Sequence, residues 1–542
     1  MTFIYNLNEL LAQLLKLKLQ QKIHKPYPIV VDNVKKLARI LEFCFIPEIY
    51  KYTHCIVIKG LPGVGKTTLI LRALRYLRNK KVVYAVPRRQ LKRWVFEAAG
   101  RYLLTWNIYN WKAKDEFPEC PLYSESLYTV EEMPEVESLP SRLRLMVKCI
   151  YLRNKGICPK QCPFLNQVRE LTRLIRKYRN LLVVCSFFHS FVLNTLFGYK
   201  FDIYIFDEVE EFISFVSNLR ITPKELEEYK KLCEKCKDPE LRDILMRILL
   251  RLQESFDIDN DTGQYFYAFP IFKGVDVCIL MSATYHPLLN AIIVKNEHKP
   301  DIIYQELQIP LRKQIQDIII SYYAPIFYND IYKERWIASD GKQLRIRKEV
   351  DRSLLYKMIE VTKEIVDYCT HRNLKCGIIC RNKEVANLFC FELTREGYDV
   401  YYGKSFREAM RHDHVIIVPG DRLYRGISLD KDVIIAQYQG RRIEDVRTSL
   451  HPAIKFTTLY SPEPDWYNII TEGLITLNHA INVQAIFRFI REHNRRHVLV
   501  LLDRRVLDAL NVFFPDYVNN LCKVYEVKSL NELVSKLYEV LR

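Results

Sequence analysis

The sequence predicts an α/β protein built of two doubly wound parallel-sheet domains, and three features of the chain predict it. Short apolar runs recur along it: Cys55–Ile58, Lys81–Pro87, Leu181–Ser186, Ile203–Phe206, Val277–Met281, Cys376–Cys380, Val415–Val418, Val433–Gln437 and Val498–Leu502. Each is apolar almost throughout instead of alternating with polar residues, the pattern of a parallel strand covered on both faces. Between the runs lie longer stretches of helical periodicity, and strands alternating with helices wind into open parallel sheets.

Taken in chain order, residues 1–24 read as an amphipathic N-terminal helix. Leu10 to Leu19 is interrupted by Gln and Lys and no small-residue cleavage site follows, so a secretory leader is not expected. The first sheet domain is expected over 25–335 and the second over 340–542, with the polar, charged segment Ser339 to Lys348 between them. Two stretches interrupt the first domain and read as insertions into its sheet. Residues 105–175 are rich in Pro, Cys, Glu and aromatics with few strand signals; residues 212–272 are helical and strongly charged, as in Thr222–Lys237 and Glu240–Gln253. No internal repeat or low-complexity tract is present.

The 542 residues are 49% hydrophobic and 27% charged, which describes a chain that buries substantial cores and excludes a disordered one. The net charge of +18 has the sign expected of a protein that meets phosphate backbones. No run offers the roughly 18 uninterrupted apolar residues of a membrane helix. Leu181 to Phe197 is broken by Ser186, His189, Ser190 and Asn194 and reads as strand plus helix, so a membrane is not expected as a partner and the location is expected to be intracellular. Thirty-five tyrosines, sixteen glycines and frequent Lys, Arg, Ile and Glu resemble the composition of proteins from hyperthermophilic archaea and their viruses. That bears on the fifteen cysteines, which are thiols or metal ligands in a mesophile cytosol but can form disulfides in such cells.

After Cys55–Ile58 comes Gly60-Leu61-Pro62-Gly63-Val64-Gly65-Lys66-Thr67, opening into the helical pattern Thr68–Leu74. This strand–loop–helix context makes the match to Gly-x-x-x-x-Gly-Lys-Ser/Thr credible. Glycines let the loop turn its N–H groups toward phosphates, and the helix N-terminus adds its positive dipole end. Lys66 would reach the β and γ phosphates of ATP and the Thr67 hydroxyl would coordinate Mg²⁺. Asp202 to Glu210 is an apolar strand ending in acids, which places Asp207 and Glu208 at the carboxyl edge of a sheet. Asp207 would hold Mg²⁺, directly or through water, and Glu208 would position and deprotonate an attacking water. Ile279 to Thr284 is a strand ending in Ser282-Ala283-Thr284. Gln484, Arg488 and Arg491 recur at helical spacing, and planar guanidinium groups suit the charge that develops on a transferring phosphoryl group.

This ordered set resembles the superfamily 2 helicases, and within them the XPD/DinG type. Ser186–Phe191 is similar to the family's Asn-Tyr/His-x-Leu-Leu segment, and Ser282-Ala283-Thr284 followed by Pro287 to its Ser-Gly/Ala-Thr-Leu-x-Pro. Gln484–Arg491 followed by Asp503-Arg504-Arg505 resembles its Gln-x-x-Gly-Arg-x-Ile-Arg and Val-x-x-Asp-x-Arg, Cys376 to Asn387 its opening strand of the second motor, and cysteines lie between the first two nucleotide motifs. The chain departs from the pattern at Glu210 (His in the family), Phe487 (Gly) and Arg425 (an acid), and no Gln near Pro26-Tyr27-Pro28 stands where the family reads adenine.

The resemblance implies two RecA-like domains clamping ATP and Mg²⁺ and driving 5′→3′ movement on single-stranded DNA with duplex unwinding, RNA remaining open as the track. It implies a monomer, a replication or repair partner, and backbone contacts from Arg88 and Arg89, with His189 stacking a base and Thr284 linking ATP to the strand. Cys120, Cys149, Cys158 and Cys162 resemble the family's iron–sulfur ligands, and four thiolates suit a 4Fe–4S cluster or zinc; disulfides and free thiols stay open. The competing class is a P-loop ATPase that switches, remodels or packages nucleic acid without unwinding, and a third reading is a degenerate helicase that hydrolyses poorly.

Overall fold

The computed structural model describes residues 29–47, 53–61, 63–113, 116–117, 162–196, 198–209, 220–221, 256–258, 265–267, 275–284, 302–310, 315–324, 332–339, 343–350, 352–403, 405–418, 429–437, 483–490 and 495–542, with single residues between 227 and 242. Every apolar run named above is a parallel strand. The first sheet comprises β1 (Ile29–Val30), β2 (Thr53–Lys59), β3 (Lys81–Val86), β4 (Asn107–Asn110), β5 (Leu181–Ser186), β6 (Ile203–Asp207), β7 (Val277–Ser282) and β8 (Ile302–Gln308). Its order is β1-β8-β2-β7-β6-β3-β5-β4, each neighbouring pair parallel.

The second sheet comprises β9 (Asp317–Tyr322), β10 (Cys376–Ile379), β11 (Val400–Tyr401), β12 (His414–Ile417), β13 (Val433–Ala436), β14 (Val498–Leu501) and β15 (Cys522–Val527). It runs β11-β12-β10-β13-β14-β9-β15, again parallel throughout. The protein therefore has two doubly wound α/β domains.

The domain edges differ from expectation. β9 pairs with β14 and β15, so the second sheet starts before residue 335 rather than after 340. The expected boundary near Ser339 to Lys348 is a hairpin, Tyr332–Ser339 antiparallel to Gln343–Val350. β4 extends the first sheet by pairing with β5, which removes Asn107–Asn110 from the insertion expected over 105–175. The segment expected to be helical over 212–272 also holds a three-stranded antiparallel sheet of 220–221, 265–267 and 256–258. Residues 1–24 lie outside the described residues.

In the first domain the helices α1 (Val34–Phe43), α2 (Lys66–Leu74) and α3 (Arg89–Tyr102) cover one face of the sheet. Leu37, Leu41, Ile70, Leu74, Val95 and Ala99 pack there against Ile56, Ile58, Val82, Tyr84, Ile203, Ile205, Ile279 and Met281. α1 starts at Asn33, whose Oδ1 accepts the Lys36 N–H at 2.8 Å, a side-chain cap for an otherwise orphan donor. In the second domain Val483–Ile490 and the helices α4 (Arg504–Phe513) and α5 (Pro515–Leu521) cover one face, and Leu61 of the first domain is buried among them.

Gly377 on β10 lies directly beneath Phe489, and a Cβ built there would stand 2.5 Å from the phenyl Cγ. Gly377→Ala is expected to destabilise the second domain by about 1–3 kcal/mol, the usual penalty of overpacking, read as a lower guanidinium midpoint. An unchanged midpoint would show that the ring moves aside freely.

Candidate functional site

Parallel strands deliver their following loops to one edge, so the chemistry-bearing residues follow the strand order. After β2 comes the Gly60–Thr67 loop, after β7 Ser282-Ala283-Thr284, after β6 Asp207-Glu208, after β3 Arg88-Arg89 and after β5 Ser186 to His189. The first three groups are next to one another because β2, β7 and β6 are adjacent.

Gly63 and Gly65 take positive φ angles of 89° and 86°, a region open to glycine at little steric penalty, and the loop turns back on itself into α2. Lys66 opens that helix, and its Nζ donates to the carbonyls of Gly60 at 2.7 Å and Leu61 at 3.1 Å. Thr67 Oγ1 donates to Asp207 Oδ2 at 2.9 Å. The same oxygen accepts the Tyr84 hydroxyl at 2.8 Å, while Oδ1 accepts the Glu208 N–H at 3.1 Å. Burial, and next the charge of Glu208, push the Asp207 carboxyl up to about 6, with the donors and Lys66 pulling the other way. Burial and Asp207 push the Tyr84 hydroxyl well above its ordinary range, so it is a donor. Glu208 has φ of 55°, a left-handed conformation that strains a residue with a Cβ and turns its side chain away from the strand line.

The second domain closes the site. Arg488 Nη2 lies 3.3 Å from Glu208 Oε1, and both side chains are largely shielded from water. Gln484 Nε2 donates to Thr284 Oγ1 at 2.5 Å, and Thr284 N–H donates to Ser282 Oγ. Gln484 and Arg488 do not share the one regular helix expected of their spacing: Gln484 ends a helical turn and Ile486–Arg488 is a 3-10 turn. Thr284 is fully buried in this cross-domain contact. Arg491, Pro62, Glu210 and Arg425 lie outside the described residues. Phe487 is buried edge-on against Phe514 and Tyr517, 4.7 and 5.2 Å between ring centroids, which gives the bulky replacement a place in the second domain's core.

A cavity of about 260 Å³ is lined by Gly63, Lys66, Thr67, Asp207, Glu208, Ser282, Gln484 and Arg488, with Trp94 of α3 at its rim. A second, of about 450 Å³, shares Gly65 and Thr68 with it and has Val31, Val34, Leu69 and Ile309 as apolar walls and Asp32, Asn33 and Arg72 as polar ones. Sequence reasoning missed Tyr84, Trp94 and the Asp32–Asn33 wall. Tyr84 and Trp94 sit among ordinary core and helix residues, and no local pattern marks them.

The hydroxyl of Thr67 and the carboxylate of Asp207 are hard oxygen donors 2.9 Å apart. That separation suits neighbouring positions on an octahedral Mg²⁺ with bonds of about 2.0–2.1 Å, so the donor set fits this ion. Of the four cysteines read as cluster ligands, Cys120, Cys149 and Cys158 lie outside the described residues. Cys162 is half-buried at the start of the helix Pro163–Lys177. Among the described residues no group of three His, Cys, Asp or Glu is placed to hold a metal. Among them, too, no helix is long and apolar enough to cross a membrane.

Arg88 is half-buried and Arg89 exposed at the start of α3, and His189 Nδ1 lies 2.8 Å from Ser186 Oγ beyond the adjacent strand. These residues occupy the half of the edge away from the Gly60–Thr67 loop.

Strand order and site together define the class: a two-domain RecA-like α/β protein of doubly wound parallel sheets, with a phosphate-type loop in the cleft between its domains. No protein-family model and no curated protein matches the sequence. Among solved structures it is similar to an XPD helicase, 12% identical over 91% of this chain and 99% of that one, with a TM-score of 0.48. It is also similar to S. cerevisiae Dbp5 bound to RNA and ADP BeF3 (13% identity, 99% of each chain, TM-score 0.39). A third similar structure is a DEAD box protein from the hyperthermophile Methanococcus jannaschii (12%, 92% and 97%, 0.32). Likenesses this distant add no weight to the strand order and the site.

Because the folded state raises the Asp207 pKa, it binds a proton more tightly than the unfolded chain, and stability present below about pH 4 is lost as pH rises through about 6. Asp207→Asn is therefore expected to stabilise the nucleotide-free protein at pH 8 by on the order of 1–3 kcal/mol, at about 1.4 kcal/mol per pKa unit, with the gain shrinking toward pH 4. Thermal melts across that range check it; a gain independent of pH would locate its origin elsewhere.

Proposed function

We propose that the protein is an ATP-driven motor on nucleic acid: a helicase of the XPD/DinG type that moves 5′→3′ along single-stranded DNA and separates the duplex ahead of it. The observation that carries this reading is the pair of cross-domain contacts, Arg488 to Glu208 and Gln484 to Thr284. They tie a candidate water-positioning acid of one domain to a guanidinium of the other, so the state of the nucleotide site and the separation of the domains cannot vary independently.

Phosphates would sit in the smaller cavity, where Lys66 exchanges the Gly60 and Leu61 carbonyls for phosphate oxygens. Nucleobase and sugar would extend over Gly65 and Thr68 into the larger cavity, against Val31, Val34 and Leu69, with Asp32 and Asn33 at the polar end in place of the family's Gln. Bound Mg²⁺ would neutralise charge on the β and γ phosphates. Glu208 would accept a proton from the water that attacks the γ phosphorus, and Arg488 would leave Glu208 to stabilise charge on the transferring group. Each turnover would then break and remake the contact between the domains. Arg88, Arg89 and His189 lie farther along the same edge, where a strand crossing the domains would be moved relative to them. The net charge of +18 favours that partner.

Purified protein is expected to hydrolyse ATP slowly alone and much faster with single-stranded DNA, with Lys66→Ala abolishing both rates. Arg488→Ala is expected to lower DNA-stimulated kcat by about 1,000-fold or more, as loss of an arginine finger does, with smaller effect on ATP binding. DNA-stimulated turnover that survives Arg488→Ala would sink the motor reading. Hydrolysis indifferent to DNA and RNA would favour a switch or remodelling ATPase.

A further inference from the structure

Tyr84 has no part in the scheme above, yet it sits in the middle of a parallel strand with its side chain fully buried. In register it faces Ile205 of β6, and Val82 and Val86 share its face of β3. A phenylalanine would satisfy that apolar environment, whereas a buried hydroxyl is costly unless it is hydrogen-bonded. The tyrosine hydroxyl reaches along the sheet to the residue two beyond Ile205, which is Asp207, and donates to Oδ2 at 2.8 Å. Tyr204 on the neighbouring strand offers a contrast. It is equally buried, and its hydroxyl accepts from Asn194 Nδ2 at 3.0 Å, away from the site.

Among the described residues three donors hold the Asp207 carboxylate: Thr67 and Tyr84 on Oδ2, and the Glu208 N–H on Oδ1. Thr67 would itself become a metal ligand, and Glu208 lies in a strained turn that contacts the other domain. Tyr84 is the donor anchored on a central strand, and it lines neither cavity.

We infer that Tyr84 is a positioning residue for the metal–nucleotide complex, its hydroxyl holding Asp207 Oδ2 beside the Thr67 hydroxyl so that both oxygens meet one Mg²⁺. This rests on the nucleotide reading proposed above. Groups that orient a ligating carboxylate typically affect metal affinity by 10- to 100-fold when removed.

The test is Mn²⁺ binding, followed by electron paramagnetic resonance, to full-length protein loaded with a non-hydrolysable ATP analogue. Tyr84→Phe is expected to raise the Mn²⁺ Kd about tenfold or more. Binding of the analogue alone, in EDTA, is expected to stay within about twofold, and the thermal midpoint to shift no more than in Tyr204→Phe. In an Asp207→Asn background Tyr84→Phe is expected to have no further effect on the metal. Tyr84→Met, which keeps apolar volume without a donor, is the second variant should Tyr84→Phe not fold, and must weaken Mn²⁺ in the same way. Unchanged Mn²⁺ affinity overturns the inference. So does an equal loss of analogue binding in EDTA, which marks a packing role. Wild-type protein that binds neither the analogue nor Mn²⁺ overturns the nucleotide reading and the inference with it.

Discussion

The site is organised around one buried carboxylate. Asp207 ends a strand whose preceding residues are all buried, so its charge stands at the limit of the core rather than in water. An isolated carboxylate in such a place would take up a proton. Here the hydroxyls of Tyr84 and Thr67 and the ammonium of Lys66 oppose that tendency, while burial and Glu208 favour it, and the balance leaves the carboxyl at about 6. Each donor comes from a different element: the helix after β2, the strand β3 and the turn after β6. Holding the carboxylate therefore requires the order β2-β7-β6-β3, since a different arrangement would remove a donor.

The second domain depends on that constraint in turn. Arg488 is almost wholly buried, and a buried guanidinium is tolerated only when paired; Glu208 supplies such a partner from the other domain. Apolar contact reinforces the pairing, because Leu61 of the phosphate-type loop sits among Ile486, Phe487 and Leu429 in the second domain's own core cluster. A hydrogen bond of 2.9 Å from Gln308 at the end of β8 to Asp516 on α5 adds a fixed point away from the cleft. The loop that would grip phosphates is thus also a surface on which the other domain rests. Movement of Lys66 from the Gly60 and Leu61 carbonyls would be felt across the interface.

Much of this was legible in residue order. Apolar runs marked the central strands because a strand covered on both faces has no polar alternation to disguise it. Gly63, Gly65, Lys66 and Thr67, and the acids Asp207 and Glu208, were legible because loop conformation and strand-end chemistry are local properties. The edge strands were not: Asn107–Asn110 and Ile29–Val30 are short, half-exposed and mixed in composition. β9 was placed with the wrong domain because it closely follows β8 in sequence, while its partners, β14 and β15, lie far along the chain. Nothing local to Ser282-Ala283-Thr284 marks Gln484, 200 residues away in the other domain, as the partner of the Thr284 hydroxyl.

By itself, then, the sequence determined the fold class, the phosphate-type loop and the acidic strand end, because each depends on the periodicity or backbone geometry of a few consecutive residues. Tertiary structure alone decided which strands belong to which sheet, that Arg488 faces Glu208, and that Tyr84 touches Asp207. Those relations join residues distant along the chain, and they are set by parallel pairing and by the need to partner buried charges and hydroxyls, which act only once the chain has folded.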